Sequence, residues 1–269
     1  MTQQERAAEL ERLHRGPELL ILPNAWDAAS ARVFESVGAR AIATTSSGVA
    51  TSLGHRDGNR LPRDLAIAAI GRIARVVAVP VTADVEEGYG DTPEAVAETA
   101  ELLVHAGAVG ANLEDAGKPT SLLVERIRAV RERLARIGAG FFLNARIDVL
   151  LRAVGPEEGR LDEVLRRAEA YTQAGADGLF VPRLSKPDEI ERVCRAVSRP
   201  VNLLLAPGMP PVAELRRLGV ARLSVGGGLQ QAALGAARRW AKGLLERGDV
   251  AYLEERILPA DLMALFPEA

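Results

Sequence analysis

Short apolar runs without polar alternation recur along the chain. Longer stretches separate them, in which apolar residues return every three or four positions. The runs are Leu19–Pro23, Ala41–Ser46, Val79–Val85, Gly110–Glu114, Phe141–Ile147, Gly178–Val181, Val201–Leu205 and Arg222–Val225, all rich in Val, Ile, Leu and Ala. Parallel strands, covered on both faces, read this way. Between them Leu122-Leu123, Ile127, Val130 and Leu134 form one helical stripe, and Val164-Leu165, Ala168 and Tyr171 form another. Thr92-Pro93-Glu94 and Ser185-Lys186-Pro187 carry helix-start signals, a capping side chain followed by Pro in the first turn.

The helix-to-strand corners repeat weakly. Ala106-Gly107-Ala108-Val109-Gly110 and Ala174-Gly175-Ala176-Asp177-Gly178 are near copies, and Val37-Gly38-Ala39 and Leu218-Gly219-Val220 are fainter ones. A Gly just past a helix closes it in the left-handed conformation, so each copy marks a corner. Eight strands alternating with about as many helices predict a (β/α)8 TIM-type barrel, for which ~250 residues is typical. The rival, an open doubly wound sheet, lacks its G-x-G-x-x-G after the first strand. Residues 1–16 predict a leading helix, with Ala7, Leu10 and Leu13 on one face. A helix over about 229–247 and an apolar tail (Leu253, Ile257, Leu258, Leu262, Leu265, Phe266) follow the eighth strand. No low-complexity linker intervenes, so residues 1–269 read as one domain.

Composition narrows the function. The 34 Lys and Arg balance 36 Asp and Glu, leaving a net charge of −2. That offers no basic excess for nucleic acid or an anionic membrane surface. A single cysteine excludes a disulfide framework and a Cys-based zinc site, and fits a reducing cytoplasm. No run reaches the ~20 apolar residues of a membrane span, and the polar start has no signal-peptide core.

In such barrels the chemistry sits at the C-terminal ends of the strands. Those ends carry Asp84 and Glu86, Asn112 and Glu114, and Asn144, Arg146 and Asp148, each set sharing one face by the period of two. Carboxylates converging on one mouth repel unless a cation sits among them, and hard oxygen donors without His or Cys favour Mg²⁺, or Mn²⁺. Arg146 adds a fixed positive charge suited to a developing enolate or an anionic leaving group.

These residues resemble the phosphoenolpyruvate mutase/isocitrate lyase superfamily. The likeness rests on Ser47-Gly48 with Gly54-His55-Arg56-Asp57, on Asp84-Val85-Glu86-Glu87-Gly88-Tyr89-Gly90, on Glu114-Asp115 and on Arg146. It implies that Asp84 touches Mg²⁺ directly while Asp57, Glu86 and Glu114 hold its waters. It also implies that backbone N–H groups around Ser46, Ser47 and Gly48 bind a carboxylate or phosphonate, and that Arg146 faces the reacting centre. Asn112 and Asn144 are further candidates to bind substrate. The shared step makes or uses a pyruvate enolate chelated to Mg²⁺, and members cleave C–C bonds, move P–C bonds or decarboxylate. An exchange of the eighth helix between subunits is also implied, placing segment 229–269 on a neighbour in a homotetramer built from dimers.

Two departures locate the chain within that group. The second acid of the motif is Glu86 rather than Asp. Where the isocitrate lyase branch has K-[KR]-C-G-H, with Cys as acid–base group, the chain has Ala116-Gly117-Lys118-Pro119-Thr120. Lys118 therefore stands in the position of that Cys, and Tyr89 is the candidate proton donor. The expectation is a Mg²⁺-dependent lyase or decarboxylase of a small α-keto or 2-hydroxy diacid. The alternatives are phosphonate chemistry (a mutase or phosphonopyruvate hydrolase) and an inactive metal- or phosphate-binding barrel using Gly226-Gly227-Gly228. Those glycines serve equally to clear space at the mouth, and Gly88-Tyr89-Gly90 reads as a lid hinge or a tight turn. His55 could polarise a carbonyl or simply be solvated. Cys194, His14 and His105 read as structural, Trp26 as packing, and Asp27 as a helix cap.

Overall fold

The computed structural model describes residues 1–266. A leading helix α1 (Gln3–Arg15) precedes the strands β1 (Leu20–Leu22), β2 (Asn24–Ala25), β3 (Ile42–Thr44), β4 (Val81–Asp84), β5 (Gly110–Glu114), β6 (Phe142–Arg146), β7 (Gly178–Phe180), β8 (Val201–Leu204) and β9 (Arg222–Ser224). Helices α2 (Ala28–Ser36), α3 (Ser46–Ser52), α4 (Arg63–Val76), α5 (Pro93–His105), α6 (Thr120–Arg136), α7 (Arg160–Ala174), α8 (Pro187–Ala196) and α9 (Val212–Arg217) fall between them. The chain then runs through α10 (Gly228–Arg247), α11 (Tyr252–Glu255) and α12 (Pro259–Ala264).

All nine strands are parallel, in the order β1-β9-β8-β7-β6-β5-β4-β3-β2. This is the TIM-type barrel, with the expected first strand divided at Pro23. Proline has no N–H to give to a ladder. So Leu20–Leu22 pairs with β9 and Asn24–Ala25 pairs with β3, and one residue carries the ring from one neighbour to the other.

Local chemistry agrees with the pattern. Thr2 with Glu5 and Asp27 with Ser30 form capping boxes on α1 and α2, each cap contributing about 1 kcal/mol. Asp27 is thus the expected helix cap. Gly175 closes α7 at φ 115°. Leu123, Ile127, Val130 and Leu134 of α6, with Val164, Ala168 and Tyr171 of α7, pack on Leu143, Ala145 and Leu179 of the outward sheet face. Helix α1 closes the barrel floor, where Ala7, Leu10 and Leu13 meet Leu20, Leu22 and Phe142. His14 is buried there against the Phe142 ring at 3.9 Å, and burial holds its imidazole down at about 3. Cys194 is a packing residue of α8, and burial pushes its thiol up to about 12.

The tail forms α11 and α12, and Leu245, Leu258 and Met263 stand 85%, 54% and 63% exposed. The Leu265 carbonyl accepts from Arg32 of α2 in the same chain. Positions 267–269 of the expected subunit-exchange segment lie outside the described residues. No described helix is long and apolar enough to cross a membrane.

Candidate active site

Asp84 ends β4 and turns into the barrel mouth. Its backbone N–H donates to Thr44 Oγ1 at 2.9 Å, and its Oδ2 accepts from the Ser46 N–H at 3.1 Å. Strand β3 and helix α3 thus fix the carboxylate from one side. Its Oδ1 is buried with no protein partner. A buried carboxylate oxygen left bare costs free energy unless something outside the chain meets it.

Two further acids adjoin it. Glu86 is buried and accepts from the Asn59 N–H. Burial, with the charges of Asp57 and Asp84, pushes its carboxyl up to about 7. Asp57 itself is exposed on the loop after α3. Glu114 ends β5 as the register neighbour of Arg146 on β6. Arg146 Nη1 reaches Glu114 at 2.8 Å. Even so, burial and the surrounding charges of Asp148, Asp84 and Glu86 raise Glu114 to about 8. Arg146 also grips Asp148 at 2.7 Å and lies 5.7 Å from the Phe180 ring centre. With Asp148 taking two of its nitrogens, one guanidinium does not fully neutralise both acids, and the Glu114 carboxyl stays raised.

The segment after Asp84 is a curled turn. Glu86, Gly88 and Tyr89 take φ of 51°, 100° and 52°, and a Cβ on Gly88 would come within 2.6 Å of Val96. Of the two readings of Gly88-Tyr89-Gly90, this packing favours the tight turn. Asn59 and Ala116, on the flanking loops, also have left-handed φ of 57° and 49°. Backbone strain of this kind gathers where neighbouring structure over-determines the chain.

The other candidates occupy three places. Ser46, Ser47 and Gly48 open α3, so the strand expected to run to Ser46 ends at Thr44; the Ser46 N–H is taken by Asp84 and the Gly48 N–H points to Thr45 Oγ1 at 3.4 Å. A Cβ on Gly48 would lie 2.5 Å from Thr45 Cγ2 and 2.9 Å from Trp26 Cβ, so only glycine lets α3 pack there. Asn112 and Asn144 lie inside the barrel, joined by a 2.9 Å hydrogen bond. Tyr89 and Lys118 line a neighbouring cavity of about 350 Å³ with Asn59, Glu87 and Arg126. The Tyr89 hydroxyl is held well above its ordinary range by burial and by the charge of Glu86. Lys118 Nζ is paired with Glu87 and half exposed. His55 lies on the loop after α3, its N–H donating to the Ala50 carbonyl at 2.8 Å.

The glycines after β9 do not form a free anion cradle. The N–H groups of Val225 and Gly226 both donate to Asn24 Oδ1, at 2.9 and 3.1 Å. A Cβ on Gly227 would stand 2.9 Å from Ser47 Oγ. Gly227 therefore clears space where α10 meets α3, while a Cβ on Gly228 would meet nothing within 4 Å. Asp115, next to Glu114, works as a brace: it accepts from Arg167 at 2.7 Å, Tyr171 at 2.9 Å and the Asp148 N–H at 3.0 Å.

Several positions carried no signal in the sequence. Glu87 ties its own loop to two others and to α6 through Asn59 Nδ2 (3.1 Å), Lys118 and Arg126 (3.3 Å). Gln230 of α10 donates to the Gly48 carbonyl at 2.9 Å. Their partners lie far away along the chain, so only the fold brings them together.

No three His, Cys, Asp or Glu side chains among the described residues are placed to form an all-protein metal cage. A dication that keeps most of its waters needs one or two carboxylates, and the bare Oδ1 of Asp84 fits that demand, with Glu86 and Glu114 nearby.

A family model of phosphoenolpyruvate phosphomutase matches residues 10–245. An uncharacterised protein of Mycobacterium tuberculosis is 38% identical over 237 residues, 86% of this chain and 87% of its own length. A solved structure from Burkholderia cenocepacia, provisionally named a phosphonomutase, superposes with TM-score 0.84 at 42% identity, over 88% of this chain and 99% of that one. The structure of an oxaloacetate acetylhydrolase superposes with TM-score 0.86 at 26% identity, over 97% and 93%.

Proposed function

The chain belongs to the phosphoenolpyruvate mutase/isocitrate lyase superfamily, whose members are lyases and mutases, and we propose that it is a Mg²⁺-dependent lyase or decarboxylase of a small α-keto dicarboxylic acid. The observation that carries this reading is Asp84 Oδ1, buried without a partner between two acids and opposite Arg146. Asp84 would hold the ion directly, and Asp57, Glu86 and Glu114 would hold its waters. The ion, when bound, supplies positive charge at the carboxylate and keto oxygens of the substrate.

The chain's own groups do the rest. Arg146 stabilises the negative charge that collects on the keto oxygen as the bond breaks, a fixed donor that needs no reorganisation. In the first turn of α3 the Ser47 N–H would orient the substrate carboxylate, since the Ser46 and Gly48 N–H groups are engaged within the chain. In a β-keto diacid the bond from C3 to the distal carboxylate breaks, CO₂ departs, and its electron pair passes into the enolate. Protonation of C3 then gives the α-keto acid; solvent is the proton source, because burial and the charge of Glu86 hold the Tyr89 hydroxyl well above its ordinary range and make it a poor donor at neutral pH.

Oxalate, a flat mimic of the enolate, tests this. Mg²⁺ and oxalate together should raise the melting temperature, and Asp84→Ala should abolish that shift while Asp84→Asn keeps the fold with little activity. An unchanged metal titration in Asp84→Ala overturns the reading. The likeness to a provisionally named phosphonomutase favours P–C chemistry as the second reading, and phosphonopyruvate turnover without release of pyruvate from any diacid would establish it. Stabilisation by phosphate alone would point to a phosphate-binding barrel.

A further inference from the structure

Arg222 is the largest side chain fully shielded from solvent, at 0% exposure. It leaves β9 and crosses the barrel interior. Its Nε lies 3.2 Å from Ser224 Oγ on its own strand. Its Nη2 lies 3.4 Å from Asn112 Oδ1 on β5, four strands away around the ring. Asn112 is the lateral register partner of Asp84. The guanidinium therefore spans the barrel beneath the carboxylate proposed to hold the ion. Its Nη1 has no partner, and the one acid whose charge reaches it is Asp84. Below it, His14 is held neutral by burial and by the Arg222 charge itself. A buried guanidinium keeps its proton and is expensive to leave without a close counter-ion, so this arrangement calls for an electrostatic account.

We propose that Arg222 is a positioning residue that acts through Asp84 to weaken binding of a free divalent cation, so that the metal enters the site together with a dianionic oxo acid. The proposal rests on the reading of Asp84 as the metal's direct ligand. The argument is charge arithmetic. A free dication meets the full repulsion of a fixed positive charge inside a medium that salt screens poorly. The same dication chelated by a dicarboxylate dianion is neutral overall, and the repulsion nearly vanishes. Without substrate the guanidinium instead offsets part of the mutual repulsion among Asp84, Glu86 and Glu114. One residue thus disfavours the ion alone and leaves the ion–substrate pair almost untouched.

The test is Mn²⁺ binding, read from the free-ion electron paramagnetic resonance signal, with and without oxalate. Arg222→Met fills the same space without charge. It should bind free Mn²⁺ at least about tenfold tighter, a floor that the repulsion between a unit charge and a dication exceeds at separations up to about 20 Å and an effective dielectric constant near 20. The enhancement of Mn²⁺ binding by oxalate should shrink by the same factor. Arg222→Lys keeps the charge and should stay near the wild type on both counts. Should the Met variant not fold, Arg222→Gln has the same expected sign. A merely structural role predicts unchanged or weaker metal binding in the neutral variants, and that result overturns the proposal. Wild-type protein that binds no Mn²⁺ under either condition overturns the Asp84 reading itself, an outcome distinct from a failure of Arg222 alone.

Discussion

Arg146 donates to both carboxylate oxygens of Asp148, from Nε at 2.7 Å and from Nη2 at 3.2 Å, while its third nitrogen faces Glu114. The two-pronged bond fixes the plane of the guanidinium, and Phe180 supports it from one side. Asp148 is fully buried, and its own N–H is tied to Asp115. The Arg146 guanidinium therefore rests on a brace running through β6, the Asp115 side chain and α7.

Asp148→Asn keeps the shape of that brace and removes one charged acceptor. It should lower kcat by about 10–100-fold, the usual cost of losing a partner that orients an active group, while the melting temperature moves little. Arg146→Ala should cost more than Asp148→Asn. Steady-state kinetics on the best diacid decide it, and equal rates in Asp148→Asn and wild type would remove Asp148 from the machinery.

Glu114 and Glu86 give the metal-free protein a characteristic pH response. Both carboxyls titrate higher in the fold, at about 8 and about 7, than their ordinary value of 4.5. The folded state therefore holds protons that the unfolded chain has released, so stability falls as pH rises through that interval. The penalty is absent below about pH 4.5 and complete above about pH 8. Glu114→Gln should flatten this slope, and Mn²⁺ should bind more tightly as pH rises, because the ion competes with those protons. Thermal melts from pH 5 to pH 8 check both, and identical slopes in Glu114→Gln and wild type would refute the assignment.

The barrel was legible because parallel strands covered on both faces leave unbroken apolar runs, and a left-handed Gly follows α2, α5, α6, α7 and α9 at their corners, though not α4 or α8. Asp84, Glu114 and Arg146 follow from strand ends and a period of two, whereas Glu86 lies past the end of β4 in a left-handed turn to which that period does not apply. The division of the first strand at Pro23 was not read from the sequence, because it depends on two different neighbours, β9 and β3. Arg222 was not legible. It sits at the head of an apolar run, where a charged residue reads as a strand start, and its partner Asn112 lies 110 positions away. The grip of Glu87 on two other loops and α6 was hidden for the same reason.

The outer face of α10 and the tail leave too much apolar surface for a solitary chain. Leu234 and Leu245 on α10 are 57% and 85% exposed, and Ile257, Leu258 and Met263 are 47%, 54% and 63% exposed. Contiguous apolar patches of this kind mark contacts between chains. The protein should run as an oligomer in light scattering at micromolar concentration, a tetramer by its family resemblance. Leu234→Glu combined with Leu245→Glu should shift it to smaller species. A monomeric wild type would refute this.

The final expectation concerns a reaction the site is poorly equipped for. Cleaving isocitrate requires one proton to leave a hydroxyl and another to reach the departing carbanion. In the isocitrate lyase branch a loop Cys serves the second role, and the corresponding stretch holds Gly117-Lys118. Lys118 is tied to Glu87 as an ion pair, and an ammonium so paired is a poorer proton donor than a thiol at neutral pH. Cys194 offers no substitute, because it is packed on α8 with its thiol pushed up to about 12. Isocitrate and 2-methylisocitrate should therefore turn over at least about a hundredfold more slowly than the best α-keto diacid, since one acid–base group is worth 10²–10⁴. Oxaloacetate is the first candidate for that diacid, because its decarboxylation gives the same enolate and needs no hydroxyl deprotonation. Coupled assays of pyruvate and glyoxylate release compare the substrates directly, and similar rates on isocitrate and oxaloacetate would overturn the significance given to the missing cysteine.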